Sequence, residues 1–248
     1  MAADLTGKRI IVTGAATGIG RSTALRVSAS GAKVAAFDVN DADGATTTGD
    51  INEAGGDARY WHVDVRDETA VAGAVAAAET WLGGIDVLIH VAGVLQGAAV
   101  DLDEFPEEMW DTVVDINLRG SFVISKFVSG VMKKQRSGVI ILTASGAGVL
   151  GGSSSFAYGS SKGGVHGLAL VMEASLEIYG IRVNDVLPGA VATPLKVTQV
   201  GVMHEAGGGE GDLEEKIGAL VSPDDIAKVY AFLASDEASM VKGSVRTR

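Results

Sequence analysis

Short runs of consecutive apolar residues alternate along the chain with longer segments in which apolar residues recur every three or four positions. Each short run predicts a strand buried on both faces, and each longer segment predicts a helix. The alternation of strands and helices predicts one doubly wound α/β domain, with a parallel sheet and helices on both faces. Strands are expected at 8–13, 33–38, 58–63, 85–89, 139–142 and 181–187, and helices after residue 18 and within 41–54, 69–81, 107–134, 155–179 and 222–233.

Composition and charge narrow the class of protein. A chain of 248 residues suits one large domain, 1–248, with a substantial core. There is no cysteine, which excludes disulfides and fits a reducing compartment, so a cytoplasmic location is expected. A net charge of −11 argues against nucleic acid or an anionic membrane as a partner. No apolar run approaches the length of a membrane span, and no signal-peptide pattern is present.

The first predicted strand leads into a glycine-rich turn, Gly14, Gly18 and Gly20, with Thr17 and Ile19 between them. A helix and a second strand follow, which makes a βαβ unit. Such a turn lets the backbone approach a pyrophosphate and directs the helix N-terminus towards it. The spacing differs from the Gly-x-Gly-x-x-Gly fingerprint, and a tight turn without a ligand is the alternative.

Asp38 ends the second strand, 18 residues after Gly20, and Val39 follows it. A carboxylate at this place accepts hydrogen bonds from the adenosine ribose hydroxyls and repels a 2′-phosphate. The sequence therefore predicts a Rossmann-type domain that binds NAD (NADH) rather than NADP.

Tyr158 and Lys162 lie one turn apart on a predicted helix, so their side chains project from one face. A neighbouring ammonium lowers the pKa of a phenol, which makes the pair a candidate acid/base. An exposed tyrosine beside a solvated lysine is the simpler alternative. Ser145 lies 13 residues before Tyr158, after the strand 139–142, at the edge where open α/β sheets bind ligands. Its hydroxyl can donate to a carbonyl or alcohol oxygen.

Together, Thr13-Gly-x-x-x-Gly-Ile-Gly20, Ser145 and Tyr158-x-x-x-Lys162 resemble the motifs of the classical short-chain dehydrogenase/reductase family, over nearly the whole chain. The resemblance implies the strand order 3-2-1-4-5-6-7 and interconversion of a secondary alcohol and a ketone by hydride transfer. It also implies a homo-oligomer, most often a tetramer. The catalytic residues that it implies are Asn117, Ser145, Tyr158 and Lys162.

The resemblance implies further contacts with the cofactor. The family places the adenine beside the positions of Asp64 and Val65, although a turn or helix-cap carboxylate is an equal alternative for Asp64. Tyr158 and Lys162 also contact the cofactor in the family. The turn that orients the nicotinamide resembles Pro188, Gly189, Val191 and Thr193.

The segment after the fourth predicted strand departs from the family's sequence, and Asn117 is a polar residue on an apolar helix face that needs a hydrogen-bond partner. The segment His90-Val91-Ala92-Gly93 replaces the family's Asn-Asn-Ala-Gly, and Ala92 and Gly93 still permit close approach of the ribose. His90 is expected to be a buried substitute for asparagine at the cofactor site, and no metal site is predicted because no other ligands cluster with it. In the family the asparagine at the position of Asn117 holds, through its backbone, a water that leads to the catalytic lysine, whereas a core amide that joins two helices is the alternative.

The segment 195–216 is the expected substrate lid. Glycines at 207–209 and 211 predict mobility, and the segment is acidic through Glu205, Glu210, Asp212, Glu214 and Glu215. The walls around the nicotinamide are expected to be apolar and without arginine: Leu95, Val149, Leu150, Val191, Leu195 and Met203. A neutral, mainly apolar substrate follows, unless Lys196 or Lys216 folds inward and supplies a positive charge. A solvated, disordered loop is the alternative to a lid.

Three other functions are alternatives to an alcohol dehydrogenase. The alternatives are an NAD-binding sensor or scaffold without turnover, a carbonyl reductase of the 3-oxoacyl type, and an epimerase or dehydratase acting on a nucleotide sugar. Gly163, Gly164 and Gly167 weaken a helix, which suggests that a second helix approaches closely in an oligomer. Residues 241–245 resemble the start of the family's last strand. The usual Asp-Gly-Gly ending is absent because the sequence stops at Arg248, so the protein is short here or the sequence is incomplete.

Overall fold

The computed structural model describes residues 3–207 and 212–247. The strands of its sheet are β1 (Arg9–Thr13), β2 (Lys33–Asp38), β3 (Asp57–His62), β4 (Val87–His90), β5 (Gly138–Thr143), β6 (Ile181–Leu187) and β7 (Gly243–Arg246). They form one sheet in the order β3-β2-β1-β4-β5-β6-β7, and every pairing is parallel. The predicted fold class and strand order are confirmed.

The α-helices of the described ranges are α1 (Gly18–Ala29), α2 (Asp41–Glu53), α3 (Glu68–Leu82), α4 (Glu107–Val114), α5 (Gly120–Gln135), α6 (Gly146–Val149), α7 (Phe156–Leu176), α8 (Pro194–Glu205), α9 (Leu213–Gly218) and α10 (Pro223–Ala234). A π-helical segment, Asp115–Arg119, joins α4 to α5 within the region predicted as one or two helices. None of the helices in residues 3–207 and 212–247 is both long and apolar enough to cross a membrane.

The core consists of two apolar clusters, one on each face of the sheet. One cluster packs α3, α5 and α7 against the sheet, and the other packs α1 and α10 against the opposite face. Both faces of the central strands are therefore buried, with Ile11 in the first cluster and Val12 in the second. This burial explains why the strands appear in the sequence as continuous apolar runs rather than alternating ones.

The side chains of a serine and a threonine cap the N-termini of α7 and α8. Ser155 Oγ accepts a hydrogen bond from the amide of Tyr158 at 3.2 Å, which caps α7 about two turns before Lys162. Thr193 Oγ1 accepts from the amide of Lys196 at 3.2 Å, and Pro194 occupies the first position of α8. Much of the segment expected as a lid is thus helical, while Gly208, Gly209, Glu210 and Gly211 lie outside the described residues.

The glycines of α7 have partners within the chain. A Cβ at Gly164 would lie 2.7 Å from Leu118 Cδ2, and one at Gly163 would lie 2.9 Å from the carbonyl oxygen of Gly148. A Cβ at Gly167 would meet nothing within 4 Å. The prediction that a second subunit explains these glycines is therefore wrong for Gly163 and Gly164, because intrachain packing already requires them.

Candidate functional site

A cleft of about 540 Å³ runs along the carboxyl edge of the sheet. Its walls come from the segments that follow β1 to β6, from the start of α7 and from the first two turns of α8. Open α/β sheets bind ligands at this edge, near the point where the strand order reverses. Here the reversal lies between β1 and β4, which pair side by side.

The glycine-rich turn after β1 is packed so closely that side chains are excluded. A Cβ at Gly14 would lie 2.8 Å from the amide nitrogen of Ala92, and one at Gly20 would overlap the carbonyl oxygen of Gly14. Gly18 has a φ of +53°, and a Cβ there would lie 3.0 Å from Thr193 Cγ2. The turn thus presents bare backbone and the N-terminus of α1 to the cleft, which fits a pyrophosphate.

Asp38 lies at the carboxyl end of β2 with its carboxylate held by backbone amides. Its Oδ2 accepts from the amide of Ala16 at 2.9 Å, and its Oδ1 accepts from the amide of Asn40 at 3.0 Å. Ala16 belongs to the glycine-rich turn, so one side chain links the turn to β2. Each carboxylate oxygen keeps further acceptor capacity for ribose hydroxyls.

Asp64 is a turn carboxylate that also faces the cleft. It accepts from the amide of Arg66 at 2.9 Å and pairs with its guanidinium at 2.6 Å, which lowers the pKa of Asp64. The cap of α3 is Asp67 instead. Arg66 also lines the cleft, a placement that sequence reasoning missed because the pairing depends on a local turn.

Ser145, Tyr158 and Lys162 meet in the cleft. Ser145 caps α6, and its Oγ accepts from the amide of Ala147 at 3.2 Å, so its hydroxyl hydrogen remains available as a donor. Lys162 Nζ donates to the carbonyl oxygen of Thr143 at 2.7 Å and lies 6.0 Å from the ring centroid of Tyr158. The predicted helical spacing of tyrosine and lysine is observed on α7.

Burial controls the protonation of this group. Burial raises the pKa of Tyr158 above 10.0, and a hydrogen bond with Ser145 opposes the shift. Burial lowers the pKa of Lys162 to about 8. The predicted net lowering of the phenol pKa is wrong for this structure, because desolvation of the phenolate outweighs any stabilisation by the ammonium of Lys162, which is bonded to the carbonyl of Thr143.

Asn117 does not line the cleft, although it lies directly behind it. Its Oδ1 accepts from the amide of Val94 at 2.8 Å, and its Nδ2 donates to Ser161 Oγ at 3.0 Å. A Cβ built on Gly93 would lie 3.1 Å from Asn117 Oδ1 and 3.3 Å from Lys162 Nζ. The side chain is therefore a core amide that joins the π-helical segment to α7 and to the chain after β4. The role that the resemblance implies for the Asn117 backbone stays a prediction.

His90 is also buried behind the cleft rather than in its wall. Thr13 Oγ1 accepts from the amides of Val91 and Ala92, so it donates its own hydrogen to His90 Nδ1 at 2.7 Å. The ring proton is then on Nε2, and burial, with Lys162 nearby, lowers the pKa of His90 to about 3. His90 is a buried, hydrogen-bonded substitute for asparagine, as expected, but direct contact with a cofactor does not fit this geometry.

The other predicted cofactor residues all line the cleft. They comprise the glycine-rich turn, the ends of β2 and β3, the turn after β4 and the turn after β6: Gly14, Thr17, Gly18, Ile19, Gly20, Asp38, Val39, Asp64, Val65, Ala92, Gly93, Pro188, Gly189, Val191 and Thr193. Bare backbone at the glycine-rich turn and a carboxylate at the end of β2 fit a nicotinamide dinucleotide.

The substrate side of the cleft differs from the predicted wall. Leu95, Val191 and Leu195 line it, whereas Val149, Leu150 and Met203 do not. Val149 packs against the core, and Leu150 is 59% exposed, because the short helix α6 turns both away from the cleft.

Polar residues replace the missing part of that wall. Sequence reasoning considered Lys196 as a possible cation here, and Lys196 does line the cleft. Gln199 and Ser154 lie beside it and were missed, because the helical spacing of 196 and 199 becomes informative only once α8 is known. Among the described residues, no group of three or more acidic or histidine side chains is placed to hold a metal ion.

Comparison with known proteins defines the class of protein. The family model for short chain dehydrogenases matches residues 8–200, which is more than half of the chain. The chain therefore belongs to the short-chain dehydrogenase family of oxidoreductases.

Individual relatives and structures agree with this assignment. The chain is 36% identical over 246 residues to (+)-borneol dehydrogenase 1 of Salvia officinalis, covering 96% of this chain and 91% of the relative. It is 35% identical over 247 residues to D-threitol dehydrogenase of Mycolicibacterium smegmatis, covering 97% of this chain and 90% of the relative. NAD+-bound xylitol dehydrogenase superposes with a TM-score of 0.90 at 33% identity, covering 98% of each chain. The structure of a variant of actinorhodin polyketide ketoreductase with NADPH superposes with a TM-score of 0.90 at 30% identity, covering 100% of this chain and 97% of the other.

Proposed function

We propose that the protein is an NAD-dependent oxidoreductase that interconverts a neutral secondary alcohol and the corresponding ketone. The observation that carries the proposal is the meeting of Ser145, Tyr158 and Lys162 in a cleft whose other end holds Asp38. A sensor or scaffold without turnover would need the nucleotide site but not these three side chains. A nicotinamide cofactor, when bound, supplies the hydride acceptor or donor of the reaction.

The chain's own residues orient the substrate and move the proton. Ser145 Oγ accepts from the amide of Ala147, so its hydroxyl hydrogen, which bonds the phenol of Tyr158 in this structure, can turn to the substrate oxygen. The raised pKa of Tyr158 keeps its phenol protonated at neutral pH, so the phenol gives a proton to the carbonyl oxygen in reduction. In oxidation the same oxygen takes the proton back. Lys162, fixed by the carbonyl of Thr143, keeps a positive charge beside the phenol and stabilises the phenolate that reduction leaves.

Asp38 supports NAD as the cofactor, as its charge would lie beside a 2′-phosphate. We expect kcat/KM to favour NAD over NADP by at least about tenfold, on the order of 1.4 kcal/mol. In Asp38→Ala the preference should shrink towards unity. Both ratios come from initial rates with each cofactor, and equal efficiency of the wild type with both would contradict the role of Asp38.

The walls of the cleft support a neutral substrate. Leu95, Val191 and Leu195 are apolar, and the arginine that lines the cleft, Arg66, is already paired with Asp64. Borneol and D-threitol, the compounds named for two relatives, are both uncharged alcohols. A 3-oxoacyl thioester would bring an anionic carrier towards a chain whose net charge is −11.

A screen of neutral secondary alcohols and ketones tests the reaction, with NADH absorbance as the readout and a 3-oxoacyl thioester as the competing class. Binding of NADH is measured separately by fluorescence titration. Turnover of at least one neutral pair supports the proposal. Tight NADH binding without turnover of any member would favour the sensor or scaffold instead. A cytoplasmic location and a homotetramer stay predictions of the sequence.

A further inference from the structure

Lys196 is held at the wall of the cleft by a chain of hydrogen bonds. Its Nζ donates to Gln199 Oε1 at 2.7 Å, and Gln199 Nε2 donates to Ser154 Oγ. All three residues line the cleft. The bonds tie α8 to the loop between Ser145 and Tyr158, so the ammonium is positioned rather than free to swing into solvent.

The ammonium has donors left over for a ligand. Within residues 3–207 and 212–247, its hydrogen-bond partner is the neutral amide oxygen of Gln199, and it forms no ion pair. An ammonium has three N–H donors, and the amide takes one of them. Lys196 is half-buried, and burial lowers its pKa, so the environment already disfavours the charge. An acceptor oxygen entering the cleft would satisfy donors that the chain leaves unpaired.

The hydrogen bonds direct this group towards the substrate rather than the cofactor. The N-terminal end of α8 lies beside the glycine-rich turn of the proposed cofactor site. A Cβ built on Gly18 would lie 3.0 Å from Cγ2 of Thr193, the cap of α8. Lys196 lies further along the helix and is tied to Ser154. The carbonyl of Ser154 accepts from the amide of Ala99 at 3.1 Å, which places this loop against the chain that follows β4. Leu95, a wall residue of the substrate side, lies in the same stretch of chain.

We propose that Lys196, positioned by Gln199, binds a second oxygen atom of the substrate and selects alcohols that carry an acceptor oxygen besides the reacting one. The inference rests on the proposed function and adds the substrate class: a diol, a hydroxyketone or another molecule with two oxygen functions. The second oxygen belongs either to a neutral group, such as a hydroxyl, or to a carboxylate. Comparing diols with a hydroxy acid distinguishes these two classes of substrate.

The test compares matched substrates of one carbon skeleton, namely 2-butanol, 2,3-butanediol and 3-hydroxybutyrate, with 2-hexanol and 2,5-hexanediol as a longer pair. In the wild type, kcat/KM for an oxygen-bearing member should exceed that of its monoalcohol by at least about tenfold. The ratio should fall by about tenfold in Lys196→Met and stay within about threefold in Lys196→Arg, which keeps the charge. Lys228→Met is the control, because Lys228 is an exposed lysine of α10 paired with Asp225 outside the cleft.

The outcomes separate this inference from the proposed function. An unchanged ratio in Lys196→Met, with turnover retained, would overturn the role of Lys196 alone. A weaker NADH Kd in Lys196→Met would assign the ammonium to the cofactor and also overturn it. Turnover of none of these alcohols, nor of any ketone in the screen, would overturn both proposals. A Lys196-dependent preference for 3-hydroxybutyrate would support the role of Lys196 and replace the neutral substrate with an anionic one. If Lys196→Met does not fold, Lys196→Leu, which also removes every side-chain donor, carries the same expectation.

Discussion

Tyr158 is the residue on which the proposed chemistry depends. Tyr158 lines the cleft, and its hydroxyl is the proposed proton carrier between substrate and protein. We expect Tyr158→Phe to abolish turnover while the Kd for NADH changes little, because only the hydroxyl is removed. Steady-state kinetics and NADH titration check both parts. Activity within tenfold of the wild type would contradict the assignment.

The buried ammonium of Lys162, which has a role in the proposed reaction, lowers the free energy of unfolding. Burial lowers its pKa to about 8 from an ordinary value of 10.5, so the unfolded chain holds this proton more tightly than the folded one. Stability is therefore reduced below pH 8 and recovers as the pH rises through that value towards 10.5. A depression of this size corresponds to about 3 kcal/mol at neutral pH.

We expect Lys162→Met to raise the free energy of unfolding at pH 7 by about 1–2 kcal/mol, since the lost bond to Thr143 offsets part of the gain. The same variant should lose turnover. The gain should largely disappear near pH 10, where the wild-type lysine is neutral. Urea unfolding at the two pH values measures this. A variant less stable than the wild type at pH 7 would contradict the desolvation argument.

At the scale of elements, α7 is held against the π-helical segment by a glycine. A side chain at Gly164 would press on Leu118 Cδ2, whereas one at Gly73, on α3, would meet nothing within 4 Å. We expect Gly164→Ala to lower the free energy of unfolding by about 1–2 kcal/mol through overpacking. Gly73→Ala should raise it by about 1 kcal/mol through helix propensity. Thermal or urea unfolding compares the two, and equal shifts would show that the contact with Leu118 adjusts freely.

At the scale of the whole molecule, large apolar side chains remain exposed on neighbouring helices. Val171 near the C-terminal end of α7 is 66% exposed, Ile178 in the 3-10 turn that follows α7 is 69% exposed, and Phe122 on α5 is 52% exposed. Exposed apolar surface of this kind is characteristic of an interface between chains. Gly167, which has no packing partner within 4 Å, lies on the same helix.

We therefore predict a homo-oligomer, most often a tetramer in this family, that uses α5 and α7. Val171→Glu should reduce the mass of the assembly, because a carboxylate would be buried without a partner. Thr46→Glu is the control, since it adds the same charge at an exposed position of α2. Light scattering at micromolar concentration measures both. A monomeric wild type would contradict the prediction.

The sequence by itself determined the features that depend on local geometry. Continuous apolar runs indicated strands covered on both faces, and these strands form the sheet, whose order had been expected only from the family resemblance. The spacing of Tyr158 and Lys162 placed both on one face of α7, and the position of Asp38 placed a carboxylate at the cleft. These predictions succeeded because helical and strand periods are properties of neighbouring residues.

Only the tertiary structure decided the features that depend on burial and on contacts between distant segments. The pKa of Tyr158 is raised, since desolvation depends on every element packed around the phenol and not only on Lys162. Lys196 faces the cleft because Gln199 reaches Ser154, 45 residues earlier in the chain. The same reason explains why the glycines of α7 were misinterpreted: spacing within one helix carries no information about which side chain of another segment will lie against it.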